Sequence, residues 1–193
     1  MAMATASDGR VRRGQRSGEA IVDALLGLIG EGTLAPTARQ VAARAGVGIR
    51  TVFRRFSDME SLFAEMDARM RARLFPVDID ADRQGDLRRR TRALVARRAA
   101  LFERIAPYKR AANLRRWRSP FLRGRHARLV RELRADLVAR LPELRRAPAV
   151  LVDALDLATS FEAWDRLRTE QGLGRERAQA AMERVALALI GGP

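Results

Sequence analysis

Arg50, Thr51, Arg54 and Arg55, close together in "RAGVGIRTVFRRF" (44–56), form the group in this chain whose types and spacing suit a definite chemistry. An arginine fork donates two hydrogen bonds to a guanine edge or to phosphate, and threonine offers a hydroxyl to phosphate and a methyl to thymine. On a helix starting near Gly48, Ile49, Val52, Phe53 and Phe56 fall at i, i+3, i+4 and i+7 and make an inward face. The four polar residues are then left outward, and Val47 plugs the turn before them. Such a helix has about two turns and is unstable alone, so earlier helices must hold it, as in a helix-turn-helix unit. Spacing by itself also fits a small three-helix core with a solvated arginine face.

Other chemistries are poorly supplied. His126 is the single histidine and there is no cysteine, so multi-histidine metal sites, Cys/His pairs and disulfides have no residues to use. His126 reads as a packing or surface residue. The glycines of "GLIGEG" (27–32) end a helix with no strand before them and no Gly-Lys-Ser/Thr after them, so they read as a turn and not a nucleotide loop. The expectation is no catalytic set, no metal and no cofactor.

A formal net charge of +15, with 38 basic residues of which only Lys109 is lysine, points to a polyanionic partner, although GC-rich coding also produces arginine bias. Hydrophobic content of 47% with 32% charged residues fits a globular chain. No apolar run approaches the roughly 20 residues that cross a bilayer, and the first residues lack a signal peptide's apolar centre. A cytoplasmic, membrane-free setting is expected.

Helical periodicity continues on both sides of the arginine group. Residues 1–16 hold Arg10, Arg12, Arg13 and Arg16 without an apolar period and read as a basic flexible arm, either entering a minor groove and following phosphates or staying a solvated tail. Ile21, Ala24, Leu25, Leu28 and Ile29 stripe a first helix, Glu19 to Gly30. Thr37 suits the N-cap of a second, with Val41, Ala42 and Ala45 inward and Gly46 past its end. Asp58 caps a fourth helix carrying Leu62, Phe63, Met66, Met70 and Leu74.

Residues 76–86 read as an acidic boundary loop. Beyond it come a helix ending at Pro107, a short piece Tyr108 to Trp117, and a stripe of Leu129, Val130, Leu133, Leu137 and Leu141. Two more helices follow, one lined by Val150, Ala154, Leu157, Phe161 and Trp164, the other by Ala178, Met182, Val185 and Leu189. No strand alternation occurs. The expectation is an all-α chain of about nine helices, a three-helix N-terminal helix-turn-helix domain joined to a larger C-terminal bundle. Residues 104–131 carry Lys109 and nine arginines with no acid, either an anion-binding patch or a solvated face.

The stretch Glu19 to Met66 resembles the tetracycline-repressor (TetR) family of transcriptional regulators. "EGTLAPT" followed by "ARQVAARAGVGIRTVFRRFSDMESLF" keeps the family's Thr, Val-Ala, Ala-Gly-Val, Thr, aromatic, Phe and Glu-x-Leu-Phe in order. The resemblance implies a homodimer that binds double-stranded DNA at a palindromic operator and represses until a small-molecule effector, here unknown, releases it. It implies an arm over 1–16, a DNA-binding domain over 17–75 and a ligand and dimerisation domain over 76–193.

Carried over, Thr37 meets phosphate, and Gly48, Ile49, Arg50, Thr51 and Arg54 lie in the groove. Three positions depart from the family: Phe53 stands for the usual tyrosine, Arg55 for a histidine or tyrosine, and Met59 for a lysine. Phe53 keeps the ring without the hydroxyl. Backbone gripping would then move to Arg55 and to Arg12, Arg13 and Arg16.

Phe102, Tyr108, Trp117, Phe121, Phe161 and Trp164 either line an effector pocket or pack an ordinary core. Phe161, Trp164, Ala178, Met182, Val185 and Leu189 suit a dimer interface. Two other functions fit the same chain: a nonspecific nucleic-acid-binding protein, or an effector-binding protein whose DNA binding has degenerated.

Overall fold

The computed structural model describes the backbone of residues 3–74 and 85–191, with side chains described over 16–70 and 85–191. All regular structure among the described residues is helical. The chain divides into two compact units, Met1–Pro76 with Pro107–Arg123, and Val77–Ala106 with Gly124–Pro193. No helix of the described residues is long and apolar enough to cross a membrane.

The first unit contains α1 (Met3–Gly30), α2 (Ala38–Ala45), α3 (Ile49–Arg55) and α4 (Met59–Leu74). α1 is longer at its start than the expected first helix and takes in most of the span expected as an arm, but side chains through residue 15 lie outside the described residues. Arg12 and Arg13 are among them. Its apolar stripe is also wider than expected, because Val22 and Leu26 are buried beside Ile21, Leu25 and Ile29. Val41 and Ala42 of α2, Val52 of α3 and Leu62, Phe63 and Met66 of α4 close the same core.

Ala111 and Leu122 are buried in that core, with Tyr108 and Phe121 packed against it. This explains why 107–123, expected with the C-terminal domain, groups with the N-terminal one. They belong to α5 (Leu87–Arg116) and α6 (Pro120–Arg140). The break expected at Pro107 does not occur, and α5 continues through it. Proline deletes one amide donor and strains one turn. Buried Ile105 and Ala106 before it and Ala111 after it outweigh that local cost.

In the second unit, α5 and α6 are followed by a 3₁₀ turn Pro142–Arg146, α7 (Ala149–Ala158), α8 (Phe161–Asp165), a π turn Arg166–Glu170 and α9 (Arg175–Gly191). α7 packs on α9. The inward face assigned to α7 is corrected: Val152 and Leu155 are buried, while Val150 is 78% and Leu157 70% exposed. In "AVLVDALDLA" apolar residues surround most of the helix, so their count did not mark a side. Ser160 also interrupts the expected stripe by capping α8, its hydroxyl accepting from the Ala163 amide at 3.1 Å.

Arginines enter this second core. Arg98 is 1% exposed and donates to the Thr159 carbonyl (2.9 Å), the Thr159 hydroxyl and the Leu133 carbonyl. Burial pulls it down to about 10, opposed by Asp136 and Asp156, so it is still charged at neutral pH. Glu103 accepts from Arg168 Nε at 2.8 Å and from the Trp164 indole at 3.2 Å. The Arg168 hydrogen bond, against some desolvation, holds the Glu103 carboxyl below its ordinary range.

A carboxylate with a lowered folded value stabilises the fold above its unfolded value of about 4.3 and loses that contribution as pH falls through the folded value. Urea midpoints measured from pH 7 downward should therefore fall less steeply below about pH 4.5 in Glu103→Gln than in the parent chain. Parallel profiles would refute this role for Glu103.

Candidate nucleic-acid interface

The α2–turn–α3 segment is built by local rules. Thr37 and Gln40 form a reciprocal cap: the Gln40 amide donates to the Thr37 hydroxyl at 3.2 Å, and the Thr37 amide donates to Gln40 Oε1 at 2.8 Å. At the other end Gly46 takes φ 65°, a left-handed conformation that a side chain would strain. The Val47 amide then bonds to the Ala42 carbonyl at 3.0 Å. Arg44 reaches back across α1 to grip both oxygens of Glu31 at 2.5 Å, passing over Gly27, where an added Cβ would meet its guanidinium.

α3 is anchored by two residues, not four. Val52 and Phe56 are buried, but Ile49 is 42% and Phe53 51% exposed, which corrects the inward face expected for them. A helix advances 100° per residue, so Phe53 stands well round from the Val52–Phe56 direction, and Ile49 occupies the opening turn. Arg50, Arg54 and Arg55 are exposed and Thr51 is half-buried. The outward face therefore holds arginines interleaved with two apolar side chains.

Of the other expected contacts, Gly48 is exposed as the N-cap of α3, and Thr37 is exposed with its hydroxyl engaged in the cap. Arg16 is exposed on α1. Arg55 lies along α1 beside Gly18, whose missing Cβ leaves the space: a Cβ there would come 2.7 Å from Arg55 Nε. Met59 begins α4 and packs against the core.

Sequence reading passed over Arg39, exposed in the first turn of α2 two residues after the cap. Its place beside Thr37 was the available signal. It also passed over Glu60, which accepts from the Ser119 hydroxyl at 2.7 Å and from the Phe121 amide at 3.2 Å.

Residues 21–66, which contain the α2–turn–α3 segment, match the family "Bacterial regulatory proteins, tetR family". The helix-turn-helix stretch of this chain is thus similar to that of TetR-family regulators. A crystal structure of a transcriptional regulator from Rhodococcus sp. Rha1 is similar, with 24% identity, 92% of this chain and 96% of that chain covered, and a TM-score of 0.65; this likeness shows the fold. No curated protein matches the chain. The match is confined to the helix-turn-helix stretch, where the caps, the left-handed glycine and the two anchors stand.

The aromatic residues expected at an effector pocket are divided. Phe102 and Phe161 meet edge to face at 5.6 Å, and with Trp164 they are buried in the core of the second unit. Tyr108, Trp117 and Phe121 belong to the first. Of the residues expected at a dimer interface, Phe161, Trp164, Ala178 and Met182 are likewise buried within the chain itself, leaving Val185 exposed and Leu189 half-buried. Large apolar side chains fill the nearest core first, which periodicity alone does not distinguish from a surface for a partner.

Thr37→Ala removes the α2 cap and should lower unfolding stability by about 1 kcal/mol in urea titration. A loss below about 0.3 kcal/mol would show that the cap does not hold α2.

Proposed function

We propose that this chain is a TetR-family regulator, a homodimeric, sequence-specific DNA-binding repressor released by a small-molecule effector. The observation that carries the DNA-reading half is the outward face of α3, where Arg50 and Arg54 stand exposed on a short helix fixed by buried Val52 and Phe56. A helix held this way presents its side chains to the major groove with little freedom to re-aim them. Arg50 and Arg54 take base edges, Thr51 takes phosphate or a thymine methyl, and Thr37, Arg39 and Arg55 serve the backbone. Ile49 and Phe53, exposed between the arginines, suit apolar contact with thymine methyls.

Dimerisation is supported by the apolar side chains of α7 and α9 that the protomer leaves uncovered, Val150, Leu157 and Val185. Two copies joined there present two reading helices, and half-sites one helical turn apart, about 34–36 Å, follow for a palindromic operator.

Selection of bound sites from random duplex DNA at physiological salt should yield such a palindrome. Arg50→Ala or Arg54→Ala should then cost roughly 1–3 kcal/mol of binding and relax preference at one base position. Uniform weakening across sequences would make that arginine a phosphate contact, and no consensus at all would leave nonspecific binding. In sedimentation, Val150→Asp with Leu157→Asp should convert a micromolar dimer to monomers. A parent chain that is already monomeric there would overturn the dimer.

A further inference from the structure

One concave feature lies apart from the reading face. Within the first unit, the start of α4, the end of α5 and the start of α6 enclose a groove of about 680 Å³. Its apolar lining includes Phe63, Met59 and Leu122. Trp117, 74% exposed, stands over it, with Arg116 stacked on its ring at 4.7 Å. Arg115 lies over the Phe63 ring at 5.4 Å, and Arg118 lines the same groove.

The charge of this groove is one-sided. Its one carboxylate, Glu60, is committed to the Ser119 hydroxyl and the Phe121 amide. Among the described residues Arg115 and Arg118 pair with no carboxylate, and 107–123 contains five arginines and Lys109 without an acid. An exposed indole on an apolar lining attracts a flat ring, and two unpaired guanidiniums attract an anion. The volume falls in the range of small-molecule sites, whereas a duplex is convex and does not enter a groove of this size.

We propose that this groove binds a small aromatic anion, its ring against Trp117 and its sulfonate or carboxylate between Arg115 and Arg118. The ligand would touch Ala35, just before the Thr37 cap, and Met59 and Glu60 at the start of α4, so it would bear on both ends of the α2–α3 segment. That regulatory consequence rests on the operator-binding reading; the binding site itself does not.

The test uses 1-anilinonaphthalene-8-sulfonate as probe on the full chain without DNA, with N-phenyl-1-naphthylamine as the uncharged comparison. One saturable site is expected, binding the sulfonate at least tenfold more tightly than the uncharged amine. Arg115→Ala with Arg118→Ala should remove that preference, and Arg115→Lys with Arg118→Lys should restore part of it.

Equal affinity for the two probes on the parent chain overturns the proposal without any variant, and so does an alanine pair that binds the sulfonate unchanged. Displacement of the probe by a short oligothymidine that itself needs both arginines would assign the groove to single-stranded nucleic acid instead. Because no operator enters these titrations, failure of the groove and failure of operator reading are read apart.

Discussion

A helix of seven residues does not persist in water on its own hydrogen bonds. α3 exists because Val52 and Phe56 are driven into a core that α1 and α2 have already shaped, and because Gly46 lets the chain reverse tightly enough to put them there. Every property of the outward face of α3 follows from that burial. With two anchors below, Ile49, Arg50, Phe53, Arg54 and Arg55 are left outward and Thr51 half-buried, and their spacing on the surface is fixed to within the play of their own rotamers. Removing the anchors would alter the position of the arginines before it altered their number.

The cationic composition has two destinations in the structure. Arg90, Arg98 and Arg140 are buried in the second unit, where Arg98 bonds to carbonyl oxygens of Thr159 and Leu133 and Arg90 to Glu143 and the Arg140 carbonyl. Arg90 and Arg98 thereby act as cross-links from α5 to neighbouring segments, while Arg140 pairs with Asp136 one turn back on its own helix at 2.7 Å. The formal charge of +15 therefore overstates what the surface offers to an anion. Exposed positive groups lie on α3, in the first turn of α2 and at Arg118 and Arg123, and also along α1, α5, α6 and α9.

The parts of the fold governed by neighbours in sequence were legible from it. Thr37 with Gln40, Gly46, Asp58 ahead of α4 and the Ile21–Ile29 stripe are short-range features, and each appears where its residue type requires. The exposure of Ile49, Phe53, Val150 and Leu157 was not legible, because a helix with apolar residues on several sides does not announce which side meets the rest of the chain. Pro107 misled for a related reason: its local penalty is real, but tertiary burial on both sides of it was invisible. At the interface, the arginines were readable by type, and the position of Arg55 against Gly18 was not, since that depends on a residue 37 places away meeting it in space.

That last contact has a consequence for what Arg55 can do. It is kept in place by the room a glycine leaves and not by a carboxylate; among the described residues it forms no ion pair. A paired arginine must break a charge-assisted bond before it serves another anion, while Arg55 needs only to turn about its own side-chain bonds. It is a charge already out of harness, and a passing phosphate would recruit it without anything else in the domain having to let go.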